Sequence, residues 1–176
     1  IGVPLQCAEG LSRSTIKDWL EIKPEWIAAH LQGSICRGPD EDEFNIEYPN
    51  VGWVLNRKVF DPALAGIARK QGAVLKLSCR AIGVEGNTVQ ALENGEPKKY
   101  RFCHLICADG VLSRIGKGLG IDTRLKLNEI EVCAQYVLDN IRLDPAYARL
   151  IFGNRYAPGG YAWIFPKSAD KANVGL

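Results

Sequence analysis

The sequence predicts a mixed α/β and α+β protein, in which a partial parallel α/β core, interrupted by a β-meander, runs into a mainly antiparallel sheet. Three observations predict it. A helical phrase ending at Gly72-Ala73 leads straight into an apolar run, the pattern of the second half of a βαβ unit. Between 80 and 103, turn residues separate short strand-like phrases. From about 130 onward, strand-like phrases recur with period two and no helical spacing. The expected boundary lies between a first domain at 1–125 and the start of a second at 126–176.

Taken in order, the first fifty residues read as a helical or irregular lead-in. Ser12 to Thr15 offer N-cap oxygens before Ile16, Trp19, Leu20 and Ile22, and a second short helix is expected from Pro24 to Leu31. Gly38 to Glu43 is an acidic loop, and Phe44 to Tyr48 alternates like a strand. Asp61 as N-cap, Pro62 at the first helical position and Gly72 at C′ bracket a helix with Leu64, Ile67 and Ala68 on one face. Ala73 to Cys79 then reads as a strand. Turns at 85–87 and 93–96 join strands at Thr88–Leu92 and Lys98–Phe102. His104 to Ala108 suits a buried parallel strand, ending at Asp109-Gly110 before a helix capped by Ser113. Residues 130–138, 150–152, 160–166 and 172–176 complete the strands.

Composition removes several function classes. Of 176 residues, 47% are apolar and 24% charged, and the formal charge is +2. A disordered chain is excluded, and a broad nucleic-acid surface is not expected, although a local basic patch is compatible with that charge. No apolar run approaches the roughly 18 residues that span a bilayer. The six cysteines (7, 36, 79, 103, 107 and 133) are spread through the chain and read as reduced thiols of a cytoplasmic protein. Cys103 and Cys107 with His104 do not complete a tetrahedral set, so no metal site is expected.

Two phrases carry chemistry. Asp109-Gly110, at the end of an apolar run, places a hydroxyl acceptor and an open backbone before a helix bearing Arg114, which can neutralise phosphate. The ordinary alternative is an Asx-turn followed by an N-cap. In Tyr161-Ala162-Trp163-Ile164-Phe165-Pro166, the three aromatic rings project from one face of a strand. Such stripes usually pack a core, but they also make a flat wall for a hydrocarbon ligand. Cys7 is open to three roles: proton donor, cofactor contact or structural thiol.

Arg57-x-x-Phe60-Asp61, continuing to Gly72-Ala73, and the later Ala108-Asp109-Gly110-x-x-Ser113-Arg114 resemble the p-hydroxybenzoate hydroxylase-like flavoprotein superfamily. Cys7-Ala8-Glu9-Gly10, Gly52 to Arg57 and Pro158-Gly159-Gly160-Tyr161-x-Trp163-x-Phe165-Pro166 narrow the resemblance to the geranylgeranyl reductase family. The resemblance implies part of a FAD/NAD(P)-binding, glutathione-reductase-like domain running into an antiparallel substrate domain. It implies an oxidoreductase that uses FAD, with NAD(P)H or another reductant, to saturate C=C bonds of a prenyl lipid or prenyl diphosphate. Under it, Cys7, Glu9, Gly10, Arg57, Asp109, Gly110 and Arg114 are cofactor-binding, Cys7 is the catalytic candidate, and Tyr161, Trp163, Phe165 and Pro166 line the prenyl site.

Two rivals stand beside this reading: an aromatic-ring monooxygenase or halogenase on the same fold, which shares Ala108-Asp109-Gly110-x-x-Ser113-Arg114 but does not call for the aromatic phrase, and a non-catalytic domain whose apolar sheet holds a prenyl chain. The chain begins at Ile1, contains no Met, and lacks the strand–G-x-G-x-x-G–helix unit that holds a dinucleotide pyrophosphate. It reads as an internal piece of a longer protein that by itself binds FAD weakly or not at all. Peripheral membrane contact is compatible with a lipid substrate, with no anchor in this segment.

Overall fold

The computed structural model describes residue 1 and residues 7–176. They form two compact units, 1–68 with 132–176, and 69–131. This division cuts the chain differently from the expected 1–125 and 126–176. The reason is that strands from both sides of the expected boundary share one sheet.

That seven-stranded sheet has the order β1-β3-β2-β8-β9-β10-β7. Its members are β1 (Gly10–Ser12), β2 (Ile27–Arg37), β3 (Glu43–Leu55), β7 (Gln135–Asp139), β8 (Tyr147–Phe152), β9 (Tyr161–Pro166) and β10 (Lys171–Gly175). Every pairing is antiparallel except β2 with β8. The lead-in is therefore mostly strand. Pro24 to Trp26 makes only a 3-10 turn, and the expected helix through Leu31 is replaced by β2. There Ala29, Leu31 and Gly33 are buried with period two, and partners on both sides override the local helix preference of Ala28-Ala29. The other expected helix is reduced to α1 (Arg13–Ile16).

Two small cores hold this unit. Ala29, Leu31, Val54 and Ala148 pack together, with Val51 and Phe165 against them. Trp26, Leu55 and Phe60 form the second, where Trp26 and Phe60 meet edge to face at 5.4 Å. Phe60 comes from α2 (Arg57–Lys70), which starts four residues before the expected N-cap. Asp61 does not cap: its carboxylate binds the Arg57 guanidinium one turn earlier, at 2.5 and 2.9 Å. Pro62 consequently sits inside the helix. Gly72, at φ +96°, follows the helix as expected.

The second unit contains the meander β4 (Cys79–Glu85), β5 (Thr88–Glu93) and β6 (Glu96–Arg101) in sequential antiparallel order, close to the expected turns. Residues 73–78 and 104–108 are not strands. Val74 and Ile106 are 82% and 88% exposed, so these apolar runs lack the paired neighbours that a buried strand requires. Residues 130–134 are likewise irregular, and the strand expected there starts at Gln135.

Candidate functional site

A cleft of about 750 Å³ is lined by residues of the seven-stranded unit. Alternation along β9 puts Tyr161, Trp163 and Phe165 on its wall, as the sequence predicts. Leu31, Val51 and Gly52 extend the floor, while Cys7, Ala8, Gly10, Leu11 and Ser12 form the opposite side, with Cys133 and Gln135 beside them. None of these described lining residues carries a charge. Tyr161 packs between Phe152, at 5.7 Å, and Trp163, at 5.9 Å.

Two glycines shape the wall. A Cβ at Gly10 would meet Phe165 Cε1 at 2.6 Å, and one at Gly175 would meet Trp163 Cζ2 at 2.5 Å. The rings therefore occupy space that other residues at these positions would take. Trp163 is also tethered by polarity: its Nε1–H donates to Gln135 Oε1 at 3.1 Å, and Gln135 Nε2 donates to the Cys7 carbonyl at 3.1 Å. One side chain thus joins the aromatic wall to the segment bearing the thiol.

Pro166 departs from expectation. Its side chain is fully buried and is absent from the cleft lining, because β9 alternation turns it with Ala162 and Ile164 to the other face. Glu9 departs further. It is 1% exposed, and its carboxylate is engaged inside the protein. Lys167 Nζ is paired with Glu9 Oε2, Asn173 Nδ2 donates to the same oxygen at 2.9 Å, and the Arg57 backbone N–H donates to Oε1 at 2.9 Å. Asn173 Nδ2 also reaches the Ala8 carbonyl at 2.9 Å. The Glu9 hub holds Cys7 to Gly10 over β9 and β10, and the Glu9 N–H donates to Cys7 Sγ at 3.3 Å. Cys7 itself is a free, exposed thiol.

Arg57 lies at the start of α2, its guanidinium engaged by Asp61, which raises its pKa. Asp109 belongs to the other unit. Its carboxylate accepts the Ile115 N–H at 2.9 Å and the Ser113 hydroxyl at 3.0 Å, ahead of α3 (Arg114–Gly118). These bonds, the amide first, hold its pKa below the ordinary carboxylate value. Asp109 therefore takes the capping role expected of Ser113, which makes no side-chain cap. Gly110, at φ +87°, has no atom within 4 Å of where a Cβ would stand. Arg114 makes no salt bridge among the described residues. The open backbone, the free guanidinium and the unused lone pairs on Asp109 fit a polyhydroxylated, anionic cofactor. Arg57 and Asp109 thus belong to separate units, each built locally.

Comparison with known proteins follows this division of features. Residues 129–176 match the model of the geranylgeranyl reductase catalytic domain. Over its whole length the chain is 43% identical to the digeranylgeranylglycerophospholipid reductase of Methanosarcina acetivorans, covering 46% of that protein. A geranylgeranyl bacteriochlorophyll reductase-like protein from Thermoplasma acidophilum superposes with a TM-score of 0.94 at 32% identity, over all of this chain and 47% of that one. Over its whole length the chain is thus similar to geranylgeranyl reductases, and its last 48 residues match their catalytic-domain model. It spans about half the length of these relatives. A flavin-dependent brominase shares the fold, with a TM-score of 0.76 at 18% identity over 97% of this chain and 46% of its own.

Sequence reasoning missed Gln135, Lys167 and Asn173. Lys167 closes the aromatic phrase, and its place directly after Pro166 was the available signal. Gln135 and Asn173 are polar residues in strand phrases, where nothing local distinguishes a tether from an exposed side chain.

Proposed function

We propose that the parent protein is a FAD-dependent oxidoreductase that reduces C=C bonds of a prenyl chain held in the aromatic-walled cleft. One observation carries the reading: an uncharged cleft with three rings on one wall has a free thiol on its rim. An unactivated alkene offers no developing oxyanion to stabilise, so the protein's share is orientation and exclusion of water. Tyr161, Trp163 and Phe165 supply apolar contact along the chain, and the Gln135 bridge keeps Trp163 in register with Cys7. Cys7 Sγ is the proposed proton donor to the alkene carbon, and its exposure lets solvent restore the proton.

Asp109, Gly110 and Arg114 are the proposed holders of FAD, which when bound supplies the hydride; NAD(P)H is the proposed reductant. In this reading residues 69–131 belong to the flavin-binding part and the seven-stranded sheet to the substrate part. Six free thiols favour a reducing, cytoplasmic setting, and no helix among the described residues is long and apolar enough to cross a membrane.

The test is anaerobic incubation of the full-length parent with reduced FAD and a geranylgeranyl lipid. The expected product gains two hydrogens for each double bond lost. Turnover that requires oxygen, or insertion of oxygen or halogen, would point instead to the monooxygenase or halogenase rival.

A further inference from the structure

Of the three cysteines in the seven-stranded unit, Cys36 is buried, whereas Cys7 and Cys133 are exposed free thiols. Both line the aromatic-walled cleft, and the proposed reduction uses Cys7 alone. Cys79, Cys103 and Cys107 belong to the second unit.

Hydrogen bonds bring the two thiol-bearing segments together. Asn173 Nδ2, on β10, donates to the Ala8 carbonyl at 2.9 Å, and Gln135 Nε2, on β7, donates to the Cys7 carbonyl at 3.1 Å. The chain from Ala8 back to Cys7 thus passes from β10 to the first residue of β7. Ala134 extends the β7 pairing by one residue, with bonds to and from Leu176 at 2.9 and 3.0 Å. Cys133 stands one step further, two residues or about 7 Å along an extended chain from Gln135. Alternation returns it to the face of the Gln135 side chain, and both side chains line the cleft. A disulfide needs Cα atoms about 4.4–6.8 Å apart. Cys7 lies in a bend and Cys133 in the irregular stretch ahead of β7, so the two can meet without breaking a strand pairing.

We propose that Cys7 and Cys133 form a reversible disulfide, by exchange with a small-molecule disulfide such as oxidised glutathione, and that this bridge withdraws the thiol from the cleft. One thiolate attacks oxidised glutathione and releases one glutathione; the other thiolate then displaces the second. One S–S bond breaks and one forms, the two protein thiols are oxidised, and their protons leave with two molecules of glutathione. The bridge stands on the placement of the two thiols; its effect on turnover rests on the reductase reading above, in which Cys7 gives up a proton.

The experiment treats the full-length parent with oxidised glutathione under native conditions and maps its cysteines by peptide mass spectrometry. A peptide linking Cys7 to Cys133 should appear, and dithiothreitol should remove it. In the Cys133→Ser variant the exchange should stop at a mixed disulfide between Cys7 and glutathione. That adduct also reports an accessible Cys7 in a folded cleft. Separate glutathione adducts on Cys7 and Cys133 with no link between them would overturn the proposal, as would two thiols that stay free or a link from Cys7 to another cysteine. Alkene reduction by the bridged parent should fall by about 100-fold or more, the scale of losing a proton donor, and return with dithiothreitol. A bridge that forms without slowing reduction would support the disulfide while sinking Cys7 as the donor.

Discussion

Replacing Lys167 by Met should loosen the whole cleft from a position outside its lining. Lys167 is 16% exposed at its side chain and Glu9 is 0% exposed. The substitution keeps side-chain length and apolar packing but leaves the Glu9 carboxylate buried without its counter-charge. Removing one member of a buried pair typically costs about 3–5 kcal/mol. Here two donors remain, Asn173 Nδ2 and the Arg57 N–H, both at 2.9 Å, so we expect the lower end, about 3 kcal/mol. At roughly 2–4 °C per kcal/mol for a protein of this size, the Tm should fall by about 6–12 °C. A second substitution, Glu9→Gln, removes the orphaned charge and should restore part of the loss in the Lys167→Met background. Thermal unfolding of the single and double variants makes the measurement. A fall of under about 2 °C for Lys167→Met, or simple additivity of the two changes, would refute the claim that Glu9 and Lys167 act as a buried pair.

Trp163→Ala in the full-length parent should weaken use of a prenyl substrate far more than flavin binding, and equal loss of both in paired titrations would count against the wall assignment. Gly10→Ala should displace Phe165, whose ring lies 2.6 Å from the new Cβ, at a cost of about 1–3 kcal/mol; calorimetry and geranylgeraniol binding should both report it. In the meander, the Tyr100 hydroxyl and then the Lys76 ammonium hold the Glu93 carboxyl below its usual range, and the same bond to Glu93 pushes the Tyr100 phenol up. The Glu93 contribution is therefore present above the ordinary carboxylate pKa and lost in acid; that of Tyr100 is present below the ordinary phenol pKa and lost in strong alkali. Tyr100→Phe should flatten the alkaline limb and blunt the acid one in a pH titration of stability. Asp109→Ala should speed hydrogen exchange at Ile115, whose amide it caps, and unchanged exchange would disprove the cap.

Legibility in the sequence tracked the range of the interactions. The aromatic face of β9 and the meander turns follow from alternation and from glycine-containing turns, both local, and the structure keeps them. Residues 24–31 misled because Ala and Leu favour helix locally, whereas β3 and the distant β8 decide the outcome. Asp61 looked like a cap because the competing partner, Arg57, was one helical turn away in an element not yet known to be helix. Residues 73–78 and 104–108 carry the composition of strands but have no strand partner among the described residues.

The Glu9 network gives the deeper reason that site residues and motif residues diverge. Glu9 stands in a motif beside Cys7, so a contact role was the natural reading, yet its φ of 69° and full burial turn the carboxylate inward. A non-glycine residue in that conformation persists only when its surroundings over-determine it, and here β10, the residue after β9 and the start of α2 all bind one side chain. The same turn lets the Glu9 amide reach Cys7 Sγ and leaves Gly10 bare against Phe165. Within the lining one polar tether, Trp163 to Gln135, holds the aromatic wall. The charged pair that fixes the adjoining segment lies outside the lining, where Glu9 meets Lys167.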